Sequence, residues 1–303
     1  DFDGPADAAV IHLNPDGWDS VLSDDQRRVI EAAHCRIGLW VWETTTIPEN
    51  WRSVLSKVDT IWVPSSYCAE AFRAVTDLPI HVVPHVVSVE DVPAGSAAAS
   101  KMILYIFDGS SYLSRKNPHA LVRAFAASQL ARKGWTLSLK TKHLKHSAGA
   151  SSELRTLVES TPSVTLLDQT MSREELSRLW SRASIYASPH SSEGFGLTVA
   201  EAMAKGKLVV ATNYSGPSDF LDDSCGFPVD YALSSLAEDD GAYEKGSLWA
   251  KVDEENLTQR LLEAAECFEQ GDRRKSSLAA QRVLERLSAD AVAQRMTAAL
   301  RCC

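Results

Sequence analysis

No apolar run in this chain approaches the ~18 residues of a membrane-spanning helix, so no transmembrane segment is expected. Positive charge is not in excess: 31 Lys and Arg stand against 40 Asp and Glu, a net charge of −9. That argues against nucleic acid as the main partner, which would call for a basic face. Cysteine is scarce, and Cys35, Cys68, Cys225, Cys267, Cys302 and Cys303 form no C-x-x-C pair. No His/Cys cluster has zinc spacing, so no structural zinc site is expected and a reducing cytoplasm is the simplest compartment. Cys302-Cys303 reads as a frayed pair of thiols, not a lipid anchor. Neither a Ser-His-Asp order nor a set of metal ligands stands out. The opening Asp1-Phe2-Asp3-Gly4 has no Met and no signal-peptide character, so a fragment or a processed product is expected.

What is present suits a globular protein of two domains: 303 residues, 45% hydrophobic and 23% charged. Ala8 to Leu13 is a strand, stopped by Asn14-Pro15-Asp16-Gly17. Ser23-Asp24-Asp25 opens a helix to about His34. Arg36 to Trp42, Asp59 to Val63 and Pro79 to Pro84 are further strands, and Ser65 or Ser66 caps a helix through Arg73. Strands alternating with helices predict a parallel α/β sheet, with ligands beyond the carboxyl ends of the strands. Trp42, Glu43, Ser65 and His85 fall at such ends. Trp42 either packs in the core or stacks on a ligand. Glu43 is either a surface residue or a cleft contact, and His85 either a hinge residue or a cleft contact.

Residues 93–100 lie in a Pro-, Gly-, Ala- and Ser-rich stretch that reads as a linker between a first domain at 1–92 and a second at 101–287. The second domain repeats the alternation. Its strands are Lys101 to Phe107, Thr136 to Lys142, Val164 to Leu167, Ser184 to Ser188, Lys207 to Thr212 and a final short one, Cys225 to Val229. Pro118 suits the first turn of a helix to Gln129, and Ser172-x-x-Glu175 resembles a capping box. Lys140 is a cleft candidate, and Lys145 and His146 continue a solvated basic loop. Residues 231–250 read as irregular and acidic, with Asp222-Asp223 and Asp239-Asp240 in surface turns. Two amphipathic helices, about Glu254 to Gln270 and Arg273 to Leu300, close the chain.

Pro189 to Ala204 is the most informative stretch. Gly194 and Gly196 allow tight turns and close approach of a ligand, and Thr198 to Lys205 is a helix stopped at Gly206. A helix opening after a glycine loop presents N–H groups and its positive dipole end to anions. Glu193 and Glu201 frame the loop and suit a polyhydroxylated ligand. By spacing alone, a plain turn with two solvated glutamates is an equal reading. Arg115-Lys116, after the Asp108-Gly109-Ser110-Ser111 loop, adds two cations suited to phosphate oxygens.

E-G-F-G-L-T-V-A-E-A-M-A at Glu193 to Ala204 resembles the E-x7-E motif of retaining glycosyltransferase family 4, bacterial polysaccharide or glycoconjugate type. Gly38-Leu39-Trp40-Val41-Trp42-Glu43, Asp59 to Ser65, the Phe107 to Pro118 loop and Gly246 to Asp253 also look like that family's strings. The resemblance implies two Rossmann-like domains, the α/β GT-B fold, with a first domain that is short or truncated. It also places a C-terminal helix, about 288–301, back on that domain. It implies a metal-independent hexosyltransferase with no cofactor. Its donor is a nucleoside diphosphate sugar and its acceptor a glycan, a lipid-linked molecule or another hydroxyl compound. By the same resemblance Glu193, Lys116, Arg115 and His190 serve catalysis. Gly194, Phe195, Gly196, Leu197, Thr198, Glu201, Ser110, Lys140, Thr170 and Met171 serve the donor. Trp42, Glu43, Ser65 and His85 lie on the acceptor side. Such an enzyme is expected in the cytoplasm, at polysaccharide synthesis, with peripheral contact at the inner membrane face compatible. Two alternatives stay open: a nucleotide-sugar-binding module without turnover, and a glycoside phosphorylase or sugar-phosphate synthase on the same fold.

Overall fold

The computed structural model describes residues 6–88, 100–144 and 148–302. Asp1 to Gly4, residues 93–99 of the expected linker, Lys145, His146 and Cys303 lie outside the described residues.

The first sheet holds four parallel strands in chain order: β1 (Ala8–Ile11), β2 (Cys35–Leu39), β3 (Thr60–Val63) and β4 (Ile80–Val82). Between them run α1 (Asp24–Ala32), α2 (Arg52–Leu55) and α3 (Ser66–Arg73). Ser23 and Gln26 close a reciprocal capping box on α1. Ser65 caps α3, its hydroxyl oxygen accepting the Cys68 N–H at 3.2 Å. The strand read as Arg36 to Trp42 ends at Leu39, and Trp40 and Trp42 follow it in non-strand backbone. Both are buried, packed with Trp51 and Phe72. Rings of this size bury enough apolar area to anchor a small sheet.

The second sheet holds six parallel strands. They are β5 (Met102–Ile106), β6 (Thr136–Thr141), β7 (Val164–Asp168), β8 (Ile185–Ser188), β9 (Leu208–Thr212) and β10 (Phe227–Val229). Their spatial order is β10-β9-β8-β5-β6-β7. The helices are α4 (Leu113–Lys116), α5 (Pro118–Ser128), α6 (Ala148–Ser160), α7 (Arg173–Arg182) and α8 (Leu197–Ala204). Ser172 and Glu175 form the capping box of α7, and Pro118 opens α5.

Two readings of the sequence are corrected. Residues 231–250 are not irregular throughout: β11 (Tyr231–Ser235) pairs antiparallel with β12 (Leu248–Val252) on either side of an irregular segment at 236–247, so β10 is not the last strand. β11 is exposed along nearly its whole length, so it has no buried face to impose an alternation of polar and apolar residues. The last helix is also two, α10 (Arg274–Leu287) and α11 (Ala289–Leu300), after α9 (Glu254–Glu269). Ser288 breaks them apart by accepting the Ala291 N–H at 3.4 Å. That break turns α11 onto the first sheet, where Val292, Met296 and Ala299 pack against Ile37, Trp62 and Val83. Among the described residues, no helix is long and apolar enough to cross a membrane.

Candidate functional site

Strands β5 and β8 lie side by side, Ile103 opposite Ile185 and Leu104 opposite Tyr186. From β5 the chain winds outward to β6 and β7, then returns to β8 and winds the other way. The crevice beyond their carboxyl ends is the switch point where α/β sheets bind ligands. The loop after β5 delivers α4, which Asn117 ends in left-handed backbone at φ +51° so that Pro118 starts α5 at once. The loop after β8 delivers Pro189 to Gly196. The two cations of α4 therefore meet the first glutamate of that loop.

Lys116 Nζ lies 2.5 Å from Glu193 Oε1, and Arg115 Nη1 lies 3.1 Å from Oε2. Arg115 also donates to the Ser192 carbonyl at 2.9 Å. Burial would raise the Glu193 carboxyl, but Lys116 and Arg115 outweigh it and hold the group at about 2. Burial pulls the Lys116 ammonium below its ordinary range, and Glu193 restores only part of that. Burial also works against the Arg115 charge, yet Glu193, Tyr243 and Glu43 more than reverse it. The carboxylate of Glu193 is thus buried and faced by two basic side chains.

Neighbouring chain segments hold the loop by its backbone. Glu193 N–H donates to Ser215 Oγ at 2.9 Å, and Gly216 N–H returns a bond to the Glu193 carbonyl at 2.9 Å. Ser65 Oγ donates to the Gly194 carbonyl at 2.5 Å. Cys68 Sγ lies 3.2 Å from that carbonyl, so α3 of the first domain clamps the glycine loop of the second. A Cβ on Gly194 would stand 2.5 Å from Val41 Cγ1 and 3.0 Å from the Trp42 carbonyl. Gly196 adopts φ +87°, which L side chains rarely accept.

Glu43 reaches the same cluster from the first domain, its Oε1 3.8 Å from Arg115 Nη2. His190 is fully buried between Ser188 Oγ at 3.1 Å and the Tyr214 carbonyl at 3.2 Å. Burial holds its imidazole down to about 4. An unfolded histidine titrates near 6.5, so the unfolded chain gains a proton first as pH falls. Stability from His190 is therefore present above about 6.5 and is lost towards pH 4, by roughly 1–3 kcal/mol. Urea unfolding from pH 7 to 4 is expected to show this loss in the wild type and a flatter slope in His190→Asn. Equal slopes in both would refute it.

Glu201 lies one turn into α8, apart from the cation cluster. It lines a cavity of about 660 Å³ between α7 and α8, with Arg173, Leu176, Trp180 and Leu197. Burial raises its carboxyl above the usual range. Leu197 is exposed, and Thr198 Oγ1 accepts the Tyr186 hydroxyl at 2.6 Å.

The remaining candidates are placed differently. Trp42 is 4% exposed, packed against Trp51 and Tyr243, with its ring N–H donating to the Thr46 carbonyl at 2.7 Å. It is a core residue with no ring face left for stacking, so the stacking alternative falls. Phe195 is buried between His85 and Phe220, and His85 is half-buried beside it. Ser65 is wholly buried in the clamp. Lys140 is buried on β6 and donates to the Thr141 carbonyl at 2.9 Å. Ser110 closes a turn on Asp108 with its N–H and hydroxyl. Thr170 is exposed and Met171 packs on the core, both just before α7. Among the described residues, no cluster of three or more His, Cys, Asp or Glu could hold a metal ion.

Ser215, Tyr67, Tyr214 and Tyr243 were not singled out from sequence. Tyr67 donates to the Glu43 carbonyl at 3.3 Å and meets Tyr214 edge-on. Of these only Ser215, in the Ser215-Gly216-Pro217 turn, carries a local sequence signal.

The sequence profile described as glycosyl transferases group 1 matches residues 102–265, more than half of the chain. No curated protein matches the chain by sequence. Solved structures do match in fold. S. aureus TarM, bound to fondaparinux, alpha-GlcNAc-glycerol and UDP, gives a TM-score of 0.64 at 14% identity over 88% of this chain and 50% of that one. Anabaena HepE, with UDP and glucose, gives 0.69 at 16% identity over 91% and 74%. A UDP-forming α,α-trehalose-phosphate synthase from Burkholderia xenovorans gives 0.65 at 11% identity over 91% and 71%. The chain thus spans about half the length of TarM. These likenesses show the GT-B glycosyltransferase fold.

Proposed function

The chain belongs to the glycosyl transferases of group 1, and from that premise we propose that it moves a hexosyl group from a nucleoside diphosphate sugar to a hydroxyl acceptor, retaining configuration and using no metal ion. The observation that carries this reading is the convergence of Lys116, Arg115 and Glu193 at the switch point, beside the start of α8. Fixed cations and a helix N-terminus stabilise a departing diphosphate, because charge develops where the dipoles already point. Glu193 accepts hydrogen bonds from the donor sugar's hydroxyls. Glu201 accepts those of the ribose, in a cavity of nucleoside size. UDP in the TarM and HepE structures supports a uridine nucleotide as the first donor to try. A glycan or lipid-linked acceptor, used in cytoplasmic polysaccharide or glycoconjugate synthesis at the inner membrane face, completes the reading. The likeness to a trehalose-phosphate synthase favours, as second reading, a sugar phosphate as acceptor. Strict dependence of turnover on a sugar phosphate separates the two.

A thermal-shift screen against UDP-, GDP- and ADP-sugars tests the donor, since a ligand that binds the folded state raises its melting temperature. One nucleotide class is expected to shift the wild type. Glu201→Ala is expected to weaken that nucleotide about 10–100-fold, the worth of hydrogen bonds to a charged acceptor. No shift by any nucleotide, or wild-type affinity in Glu201→Ala, would sink the assignment.

A further inference from the structure

The β11–β12 hairpin does more than extend the second domain. The segment joining its strands crosses to the first domain and closes over the cation cluster. Ala250 N–H holds β12 to the Ser191 carbonyl at 2.8 Å, one end of the glycine loop. Asp240 accepts the Ser114 hydroxyl, beside the two cations. From the same segment Glu244 accepts the Glu49 N–H at 3.3 Å, in the first domain. Between these ties sits Tyr243, 3% exposed. Its ring packs on Trp42 at 5.4 Å and on Tyr112 at 5.2 Å between centroids. Its hydroxyl lies 3.4 Å from Glu43 Oε2, and its ring centre 5.9 Å from the Arg115 guanidinium carbon.

Glu43 is therefore held by a fork. One oxygen faces Arg115 and the other faces Tyr243. Without Tyr243 the carboxylate would have a single charged partner at 3.8 Å, too long to fix its orientation. A hydroxyl on a rigid, packed ring sets direction at little entropic cost, because the ring is already immobile.

We propose that Tyr243 is a positioning residue for acceptor transfer: its hydroxyl aims the Glu43 carboxylate, and its ring seats the Arg115 guanidinium, so that Glu43 meets the acceptor hydroxyl across the cleft. The role rests on the transferase reading above. Removing the hydroxyl alone leaves the ring beside Arg115, so the donor cations keep that neighbour. The charged and titratable groups facing Glu43 are Arg115 and Lys116 from α4, Glu193 from the glycine loop, Cys68 from α3 and Tyr243 itself. Burial raises the Glu43 carboxyl, while Arg115, Lys116 and the Tyr243 hydroxyl lower it and Glu193 raises it further. Taking the hydroxyl away leaves the carboxyl higher still.

The test is Tyr243→Phe, which keeps the ring on Trp42 and Tyr112 and removes only the oxygen. Its melting temperature is expected within about 3 °C of the wild type. Donor affinity is expected to stay within about twofold, and acceptor KM to rise or kcat to fall about tenfold, the worth of one hydrogen bond. The acid limb of kcat/KM for the acceptor is expected to move up in pH, because the carboxylate loses the hydroxyl that favours its charged form. Tyr243→Leu is expected to give the same acceptor defect with a larger loss. Wild-type acceptor kinetics and an unmoved acid limb in Tyr243→Phe would overturn the role of Tyr243 alone. A wild-type protein with no donor-dependent transfer would overturn the transferase reading, and this inference with it.

Discussion

Lys116→Ala is expected to lower kcat about 10²–10³-fold, the loss found when one fixed donor to a developing anion is removed. Lys116 Nζ is 2.5 Å from Glu193 Oε1, so the ammonium is already in place before a donor arrives. Diphosphate oxygens would take over that ammonium as the glycosidic bond breaks, when their charge is largest. The benefit thus falls on the transition state, and donor Kd is expected to change less than kcat. The same substitution has a second readout. Among the described residues, Glu193 would keep only Arg115 as an opposing charge within ion-pair distance. Of the charges that hold its carboxyl at about 2, Lys116 has the largest effect. A carboxyl depressed in the folded state stabilises the fold above its unfolded pKa, and that contribution is lost as pH falls through the folded pKa. For the wild type this window runs from about 4.5 down to about 2. In Lys116→Ala the folded pKa rises, so the contribution shrinks and its loss is complete at a higher pH. Lys116→Arg restores charge but not the compact fit, and partial recovery of kcat is expected. Single-turnover transfer decides the matter: a rate within threefold of the wild type in Lys116→Ala would remove Lys116 from the chemistry.

How much of this was legible beforehand depends on whether the signal is local. Glu193, the glycines and Glu201 lie within one strand–loop–helix unit, and Arg115-Lys116 within another. Each unit announces itself by composition, and parallel α/β winding brings their loops to one edge. Ser65, Ser172 and Pro118 were readable as caps for the same reason. Tyr243 was not, because its meaning comes from crossing to Trp42 and Glu43, far away in sequence. Trp42 could be placed on a strand end but not ruled in or out of the cleft. Periodicity says which way a ring points, and only Trp51 and Tyr243 show that its face is covered. Ser288 sits inside an amphipathic pattern that continues unbroken, so only its bond to the Ala291 N–H reveals the turn of the chain. What escaped sequence reading is tertiary closure, which brings Tyr243 against Trp42 and Glu43.

Gly216→Ala is expected to do the most damage of any methyl addition near the site. A Cβ there would lie 2.6 Å from the Gly194 carbonyl oxygen, 2.6 Å from Phe195 Cα and 2.7 Å from the Gly194 carbonyl carbon. All three are backbone atoms, so no side chain can swing aside to make room. The Gly216 N–H also donates to the Glu193 carbonyl at 2.9 Å, which pins the two backbones together from the other side. The strain therefore moves the glycine loop itself. Gly194 has little room to retreat, because Val41, the Trp42 carbonyl and Cys68 stand against it. Overpacking of this kind costs about 1–3 kcal/mol or more. A displacement near 1 Å at Glu193 would cost about 100-fold in transfer. Both effects are expected together: a lower melting temperature and donor binding weakened beyond the range of a thermal-shift screen. Gly149→Ala is the matched control, since a Cβ there meets nothing within 4 Å and α6 gains a better helix former. Its stability is expected to equal or exceed the wild type, with donor binding unchanged. If Gly216→Ala melted and bound donor as Gly149→Ala does, the loop would have slack that these contacts deny, and Glu193 would not owe its position to the Ser215-Gly216 turn.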